Sequence, residues 1–126
     1  MGSIADNLQA VRGRISSAAR AAAREPGAVR LLAVSKTHPP ALIREAYAAG
    51  QRAFGENYVQ EAEEKMTQLA DLPLEWHLVG PLQSNKTRVV AETFDWVHSL
   101  DRLKIAERLA AQRPPSLAPL QVCLQV

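Results

Sequence analysis

The stretch Val29–Lys36, VRLLAVSK, decides how the rest of the chain is interpreted. It is a short, mostly apolar run that ends in a lysine, and a segment with helical periodicity lies on either side of it. Short apolar strands that are buried on both faces are typical of parallel sheets, in which helices cover the two sides. We therefore predict a buried strand over residues 29–35 and place Lys36 at its carboxyl end.

Helices and strands alternate along the remaining sequence. The apolar spacing and the Gly/Pro breaks predict helices over residues 3–24, 40–49, 59–70, 84–94 and 102–112, and further strands over 53–57, 74–79, 95–100 and 120–126. This alternation predicts right-handed βαβ units and an α/β fold with one parallel sheet.

Two architectures accept this pattern. A doubly wound five-stranded sheet suits the length as it stands, whereas a (β/α)₈ TIM-type barrel needs about 200 residues or more. Periodicity alone favours the doubly wound sheet. Val126, however, falls within the last predicted strand, and no helix follows to cover that side of the sheet. A parallel sheet normally has both faces covered, so this observation favours the first part of a barrel.

Composition limits the function classes. The 126 residues, 47% of them hydrophobic and 22% charged, describe one globular domain rather than a disordered or multidomain chain. The net charge is +2 and the basic residues are scattered, which does not favour a nucleic-acid-binding face. No apolar run approaches the roughly 18 residues of a membrane span, and no signal pattern opens the chain, so we expect a cytoplasmic protein. The single cysteine, Cys123, excludes an intrachain disulfide and is expected to be buried in an apolar strand.

Lys36 is the most informative polar residue, because active sites lie at the carboxyl ends of the strands in both candidate folds. It shares one face of its strand with Leu32 and Val34, which directs the amine inward. A partly desolvated lysine amine is a nucleophile towards aldehydes and forms Schiff bases with them. The alternative is an ordinary solvated lysine in a strand–helix loop, and position alone favours that alternative.

Other polar residues near the strand ends have two interpretations each. Asn57 either contacts a ligand or caps the helix that follows it. Glu56 either orients other groups or is a solvated acid. His77 is either a hydrogen-bonded core residue or a ligand contact on the inner face of the sheet. Ser84 begins a helix whose free backbone N–H groups either attract an anion or, as spacing alone favours, belong to a surface helix that Ser84 caps. No histidine is spaced to pair with another metal ligand, and we predict no metal site.

Three motifs together carry a family resemblance. They are LLAVSKT (31–37), FGENYVQE (54–61) and WHLVGPLQSNK (76–86). Their order and spacing are similar to those of the pyridoxal-phosphate homeostasis proteins, also called the YggS/PROSC family. The resemblance extends over essentially the whole chain.

The resemblance implies an alanine-racemase N-terminal-type (β/α)₈ barrel. Residues 1–126 would form one domain, an incomplete N-terminal portion with about five parallel strands and a leading helix. Lys36 matches the lysine that holds pyridoxal 5′-phosphate as a Schiff base, and Asn57 and His77 match positions that line the cofactor pocket. The phosphate-binding groups of the family lie in later strands.

The resemblance also implies a function and partners. Family members are regarded as non-catalytic carriers in vitamin B6 and amino-acid homeostasis, so no catalytic residue is assigned. The expected partners are pyridoxal phosphate and apoenzymes that accept it, with no nucleic acid and no membrane. The oligomeric state stays open.

Two other functions remain possible at this point. One is a pyridoxal-phosphate-dependent racemase or decarboxylase of the same barrel type. Racemisation needs a second acid–base group, which related racemases take from a tyrosine of an added β domain. This chain contains Tyr47 and Tyr58 and no β-rich segment, which favours the carrier. The other is a doubly wound binding module without a cofactor.

Overall fold

The computed structural model describes residues 3–126 as five helices that alternate with five strands. The elements in chain order are α1 (Ile4–Ala21), β1 (Ala33–Val34), α2 (Pro40–Ala48), β2 (Ala53–Glu56), α3 (Val59–Gln68), β3 (Glu75–Leu78), α4 (Thr87–Thr93), β4 (Trp96–Leu100), α5 (Leu103–Gln112) and β5 (Gln121–Leu124). Single turns of 3₁₀ helix lie at Pro26–Ala28 and Ser84–Lys86. The predicted α/β alternation is confirmed.

The strands form one parallel sheet in the order β1-β2-β3-β4-β5. A doubly wound sheet reverses its strand order at a switch point in the middle of the sheet. No reversal occurs among the described strands, so each βα unit is simply placed beside the previous one. Consecutive βα units in a (β/α)₈ barrel are arranged in this way. The doubly wound alternative is therefore wrong.

The main core lies between the helices and one face of the sheet. Alternate strand residues point to this outer face, and Phe54, Trp76, Leu78 and Val97 are all buried there. The helices contribute apolar side chains from their inner faces, among them Ile43, Ala62, Val90 and Ile105. Each large apolar side chain buried in this way contributes about 1.5–3 kcal/mol, so this layer dominates the stability of the sheet.

The opposite face of the sheet is more open. The register aligns Val34, Gly55, His77 and Trp96 on adjacent strands. Val34 is 51% exposed on this face. In a barrel this face lines the interior, so we call it the inner face.

Local signals explain where the first two helices begin and end. Ser3 caps α1 and forms a capping box with Asp6, since each side chain bonds the other residue's backbone N–H. Gly50 follows α2 with a φ of +97°, which an L side chain rarely adopts. The helix predicted over residues 40–49 thus ends before Gly50, one of the Gly/Pro breaks used to predict it.

Three predictions about local structure are wrong. β1 is shorter than residues 29–35, and Val29 and Val34 are exposed because β1 pairs with β2 alone among the described strands. Cys123 is exposed rather than buried, since its strand lies at the other edge of the described sheet. Ser84 is not an N-cap residue. Gln83 is the N-cap of the 3₁₀ turn and Lys86 is the N-cap of α4, and neither side chain makes a capping hydrogen bond.

No helix within residues 3–126 is long and apolar enough to cross a membrane.

Candidate functional site at the carboxyl ends of the strands

Lys36 and Asn57 both follow the carboxyl ends of their strands, on the same side of the sheet. Val34 of β1 pairs with Gly55 of β2, and the two polar residues follow two positions later on their respective strands. Lys36 is exposed, and its amine forms no hydrogen bond or ion pair with any part of the chain that the structure describes. The structure thus places Lys36 at the carboxyl end of β1, as the sequence predicted, but the expectation that its amine is directed inward and partly desolvated is wrong: Lys36 is exposed, because β1 ends at Val34 and the lysine lies in the turn beyond it.

Asn57 does not cap the helix that follows it. Tyr58 occupies the N-cap position of α3, and no side chain caps that helix. Gly80, which follows β3, packs directly on Asn57: a Cβ atom at Gly80 would lie 2.5 Å from the Asn57 carbonyl oxygen and 2.9 Å from its Cα. The hydroxyl of Ser99 in β4 donates to the Gly80 carbonyl oxygen over 2.7 Å. The ends of β2, β3 and β4 are therefore packed together at one rim.

A cavity of about 320 Å³ opens at this rim. Its lining includes the polar side chains of Asn57, Gln60, Gln83 and Lys86 together with Tyr58 and Pro81. A larger cleft of about 460 Å³ lies at the other end of the strands, where β1 and β2 begin, around Arg12, Arg30 and Arg52. None of the residues predicted to bind the cofactor lines that larger cleft, so its size does not make it the candidate site.

Glu56 is fully buried on the outer face of β2, so the solvated-acid interpretation is wrong. Its carboxylate accepts hydrogen bonds from the Lys65 ammonium over 3.0 and 3.1 Å and another from the Ser35 hydroxyl. Lys65 also pairs with Glu61 over 2.9 Å. The hydrogen bond from Lys65 holds the pKa of Glu61 below its ordinary value, and the backbone N–H of Thr37 acts in the same direction. Glu56 is therefore a group that orients its neighbours: it binds Lys65 and also Ser35, the residue before Lys36.

His77 lies on the inner face within a chain of side-chain hydrogen bonds. Its Nε2 is 2.6 Å from Glu75 Oε1, and its Nδ1 is 2.8 Å from Nε2 of His98. The ring also stacks on Trp96, with 5.4 Å between centroids and 6° between planes. Burial lowers the pKa of His77, although Glu75 opposes that shift.

If both imidazole rings are neutral, these hydrogen bonds determine which ring nitrogen of His77 and of His98 carries the proton. His77 donates its Nε2–H to Glu75, and its bare Nδ1 accepts the Nε2–H of His98. Partial burial favours a higher pKa for Glu75, but the hydrogen bonds from His77 and Arg30 outweigh it and hold the pKa below its ordinary value. Both ring nitrogens of His77 are thus engaged by protein groups.

The sequence reasoning missed five residues of these two networks. They are Glu61 and Lys65 behind Lys36, and Glu75, Trp96 and His98 around His77. The spacing of Glu61 and Lys65 at i and i+4 on a helix was an available signal for an ion pair. Alternate positions of a strand share one face, which puts Glu75 with His77 and Trp96 with His98. This spacing was a weaker signal for a shared inner face.

Within residues 3–126, no group of three or more His, Cys, Asp or Glu side chains is arranged to hold a metal ion.

A parallel sheet in sequential order, with a lysine at the carboxyl end of its first strand, defines a barrel-type α/β domain. The chain belongs to the family described as alanine racemase, N-terminal domain, whose model matches residues 6–126. It is 64% identical over 126 residues to the pyridoxal phosphate homeostasis protein of Pseudomonas aeruginosa and 56% identical over 129 residues to that of Escherichia coli. The chain spans 55% of the length of each of these two relatives.

Solved structures agree with the fold and the family. PipY of Synechococcus elongatus, solved with pyridoxal phosphate bound, is 53% identical and superimposes with a TM-score of 0.75 over 87% of this chain and 48% of its own. The same protein solved without pyridoxal phosphate gives a TM-score of 0.77. The resemblance drawn from the three motifs is confirmed.

Proposed function

We propose that this chain holds pyridoxal 5′-phosphate as a Schiff base on Lys36 and serves in vitamin B6 homeostasis. The observation that carries the proposal is the exposed Lys36 amine at the carboxyl end of β1, in a chain 53% identical to a protein solved with this cofactor bound. Curated relatives at 64% and 56% identity are named pyridoxal phosphate homeostasis proteins. Because the chain spans 55% of their length, the proposal takes residues 1–126 as one portion of the binding barrel.

The residues present fit an aldehyde cofactor. When bound, pyridoxal phosphate would supply an electrophilic aldehyde, and the Lys36 amine would hold it by a condensation that releases one water. Lys36 makes no ion pair in the described part of the chain, so no partner has to be displaced before it reacts.

Asn57 and His77 take different roles in this proposal. The side-chain amide of Asn57 makes no hydrogen bond within the described residues and is free to bind a polar atom of the cofactor. His77 has both ring nitrogens occupied and one ring face against Trp96. We therefore assign Asn57, which lines the cavity of about 320 Å³, as a hydrogen-bonding group, and His77, which does not line it, as a structural residue of the inner face.

The proposal is for a carrier rather than an enzyme. An exposed lysine at an open rim allows the cofactor to be exchanged with solvent and passed to apoenzymes. Racemisation would need a second acid–base group beside the cofactor. Tyr47 of α2 lies against Arg52, which precedes β2 at the far edge of the sheet. Tyr58 is 58% exposed at the rim and is the tyrosine of this chain that the racemase alternative would use. The cytoplasmic location stays a prediction.

Borohydride reduction of the complete gene product, loaded with pyridoxal phosphate, tests the Schiff base. The adduct is located by peptide mass spectrometry, and we expect it on Lys36. The Lys36→Ala variant should lose it, whereas Lys104→Ala, which removes an exposed lysine of α5, should retain it. An adduct confined to other lysines would contradict the assignment.

The same loaded protein tests the carrier role when it is incubated with L-amino acids. We expect no racemisation above that of free pyridoxal phosphate. A rate enhancement of about 10⁶-fold, the low end for enzymes, that is lost in Tyr58→Phe would establish the racemase alternative instead.

A further inference from the structure

Lys36 lies in a tight turn with strained backbone geometry. The turn runs from Ser35 to His38, and the His38 N–H donates to the Ser35 carbonyl oxygen over 3.1 Å. Thr37, the residue directly after Lys36, has a φ of +66°. Left-handed geometry is unfavourable for a β-branched residue and persists where the surrounding structure holds it. Something other than the turn sequence must therefore stabilise this conformation.

The buried ammonium of Lys65 is connected to this turn. It lies on α3 and is 4% exposed. It donates hydrogen bonds to the Ser35 carbonyl oxygen over 2.8 Å and to the Glu56 carboxylate over 3.0 Å, and it forms an ion pair with the Glu61 carboxylate over 2.9 Å.

The two carboxylates extend the connection to both sides of Lys36. Glu56 accepts the hydroxyl hydrogen of Ser35, the residue before Lys36. Glu61 accepts the backbone N–H of Thr37, the residue after it, over 2.7 Å. Ser35 is also joined to β2, since its N–H donates to the Gly55 carbonyl oxygen over 2.8 Å. Both neighbours of Lys36 are thus tied to the same buried ammonium, and Lys36 itself is left free.

We propose that Lys65 is a positioning residue: through Ser35, Glu56 and Glu61 it holds the Ser35–His38 turn in the conformation that presents the Lys36 amine to the cofactor. This inference rests on the function proposed above. Buried ion pairs contribute little net stability when compared with well-packed apolar residues of similar size, so their use is often to select one conformation. Here the conformation selected includes the left-handed Thr37.

Amide exchange in the cofactor-free protein tests the connection directly. In the complete gene product, residue-resolved NMR should show the Thr37 N–H protected from exchange. Glu61→Ala removes the acceptor, and we expect Thr37 exchange to rise by about tenfold or more, since hydrogen bonds to charged groups are among the stronger ones. Glu61→Gln keeps an acceptor oxygen and should retain most of the protection. Glu64→Ala, an exposed position on the same helix, is the matched control.

The rate at which the Lys36 Schiff base forms gives the functional result, followed by visible absorbance. Lys65→Met and Glu61→Ala should slow it by about tenfold, and Glu61→Gln and Glu64→Ala should not. Urea unfolding of Glu61→Ala verifies that the rates are measured where the native state is fully populated, which separates positioning from general destabilisation. This variant keeps the test valid if Lys65→Met does not fold.

The outcomes separate this inference from the proposed function. Unchanged Thr37 exchange in Glu61→Ala, or faster exchange with an unchanged rate of Schiff-base formation, would overturn the positioning role alone. Failure of the unsubstituted protein to form any adduct on Lys36 would overturn the proposed function and the positioning role with it.

Discussion

Replacing Gly80 with alanine should disturb the rim where β2, β3 and β4 end. The new Cβ atom would meet three backbone atoms of Asn57, at 2.5 Å from the oxygen, 2.9 Å from Cα and 3.1 Å from the carbonyl carbon. Backbone atoms cannot rotate away as the end of a side chain can. The Ser99 hydroxyl holds the Gly80 peptide from the other side through its carbonyl oxygen. Both strand ends must therefore shift for the methyl group to fit.

The expected cost follows from overpacking of a close contact. Inserting a methyl group into a well-packed region costs about 1–3 kcal/mol, and the contact with rigid backbone puts Gly80→Ala in the upper part of that range. With a urea dependence of about 1–3 kcal/mol per molar, the unfolding midpoint should fall by about 1 M. Because the displaced residue is Asn57, retention of pyridoxal phosphate should weaken as well.

Urea unfolding and cofactor dialysis of the complete gene product measure the two effects. Gly13→Ala is the matched control, since Gly13 lies within α1 and the added methyl group would have no neighbour within 4 Å beyond the adjacent residues and the backbone of its own helix. It should stabilise the protein by about 0.5–1 kcal/mol, because alanine loses less conformational freedom in a helix than glycine. A midpoint for Gly80→Ala equal to that of the unsubstituted protein would refute the packing argument.

Two further predictions concern the buried polar networks. Glu56→Leu should lower the free energy of unfolding by about 3–5 kcal/mol, because Lys65 loses a buried partner. Adding Lys65→Met should recover much of that loss. A double-mutant cycle by urea denaturation that shows no recovery would contradict the buried-pair reasoning. Burial lowers the pKa of His77 in the folded state, so the unfolded chain binds the proton more readily. The stability that His77 contributes is therefore fully present above about pH 6.5. It should be lost as the pH falls through the folded-state pKa. Urea midpoints measured from about pH 8 to about pH 5 should fall more steeply for the unsubstituted protein than for His77→Gln, and equal slopes would show that His77 is not responsible.

Much of the fold could be predicted from the sequence because its signals are local. Helical periodicity and the Gly/Pro breaks between elements act within a few residues, and the alternation predicted from them is confirmed. The limits of β1 could not be predicted in this way. A strand extends as far as its neighbours pair with it, and β1 has one described neighbour.

The sequence by itself determined the α/β alternation and the position of Lys36 at a strand end, because both follow from short-range patterns. Only the tertiary structure decided what surrounds that lysine. Lys65 reaches the Ser35 carbonyl oxygen across 30 residues, and His77 meets His98 across 21 residues, because strand register and helix packing bring them together. Such contacts depend on how separate elements align, and a pattern read along one segment carries no record of that alignment.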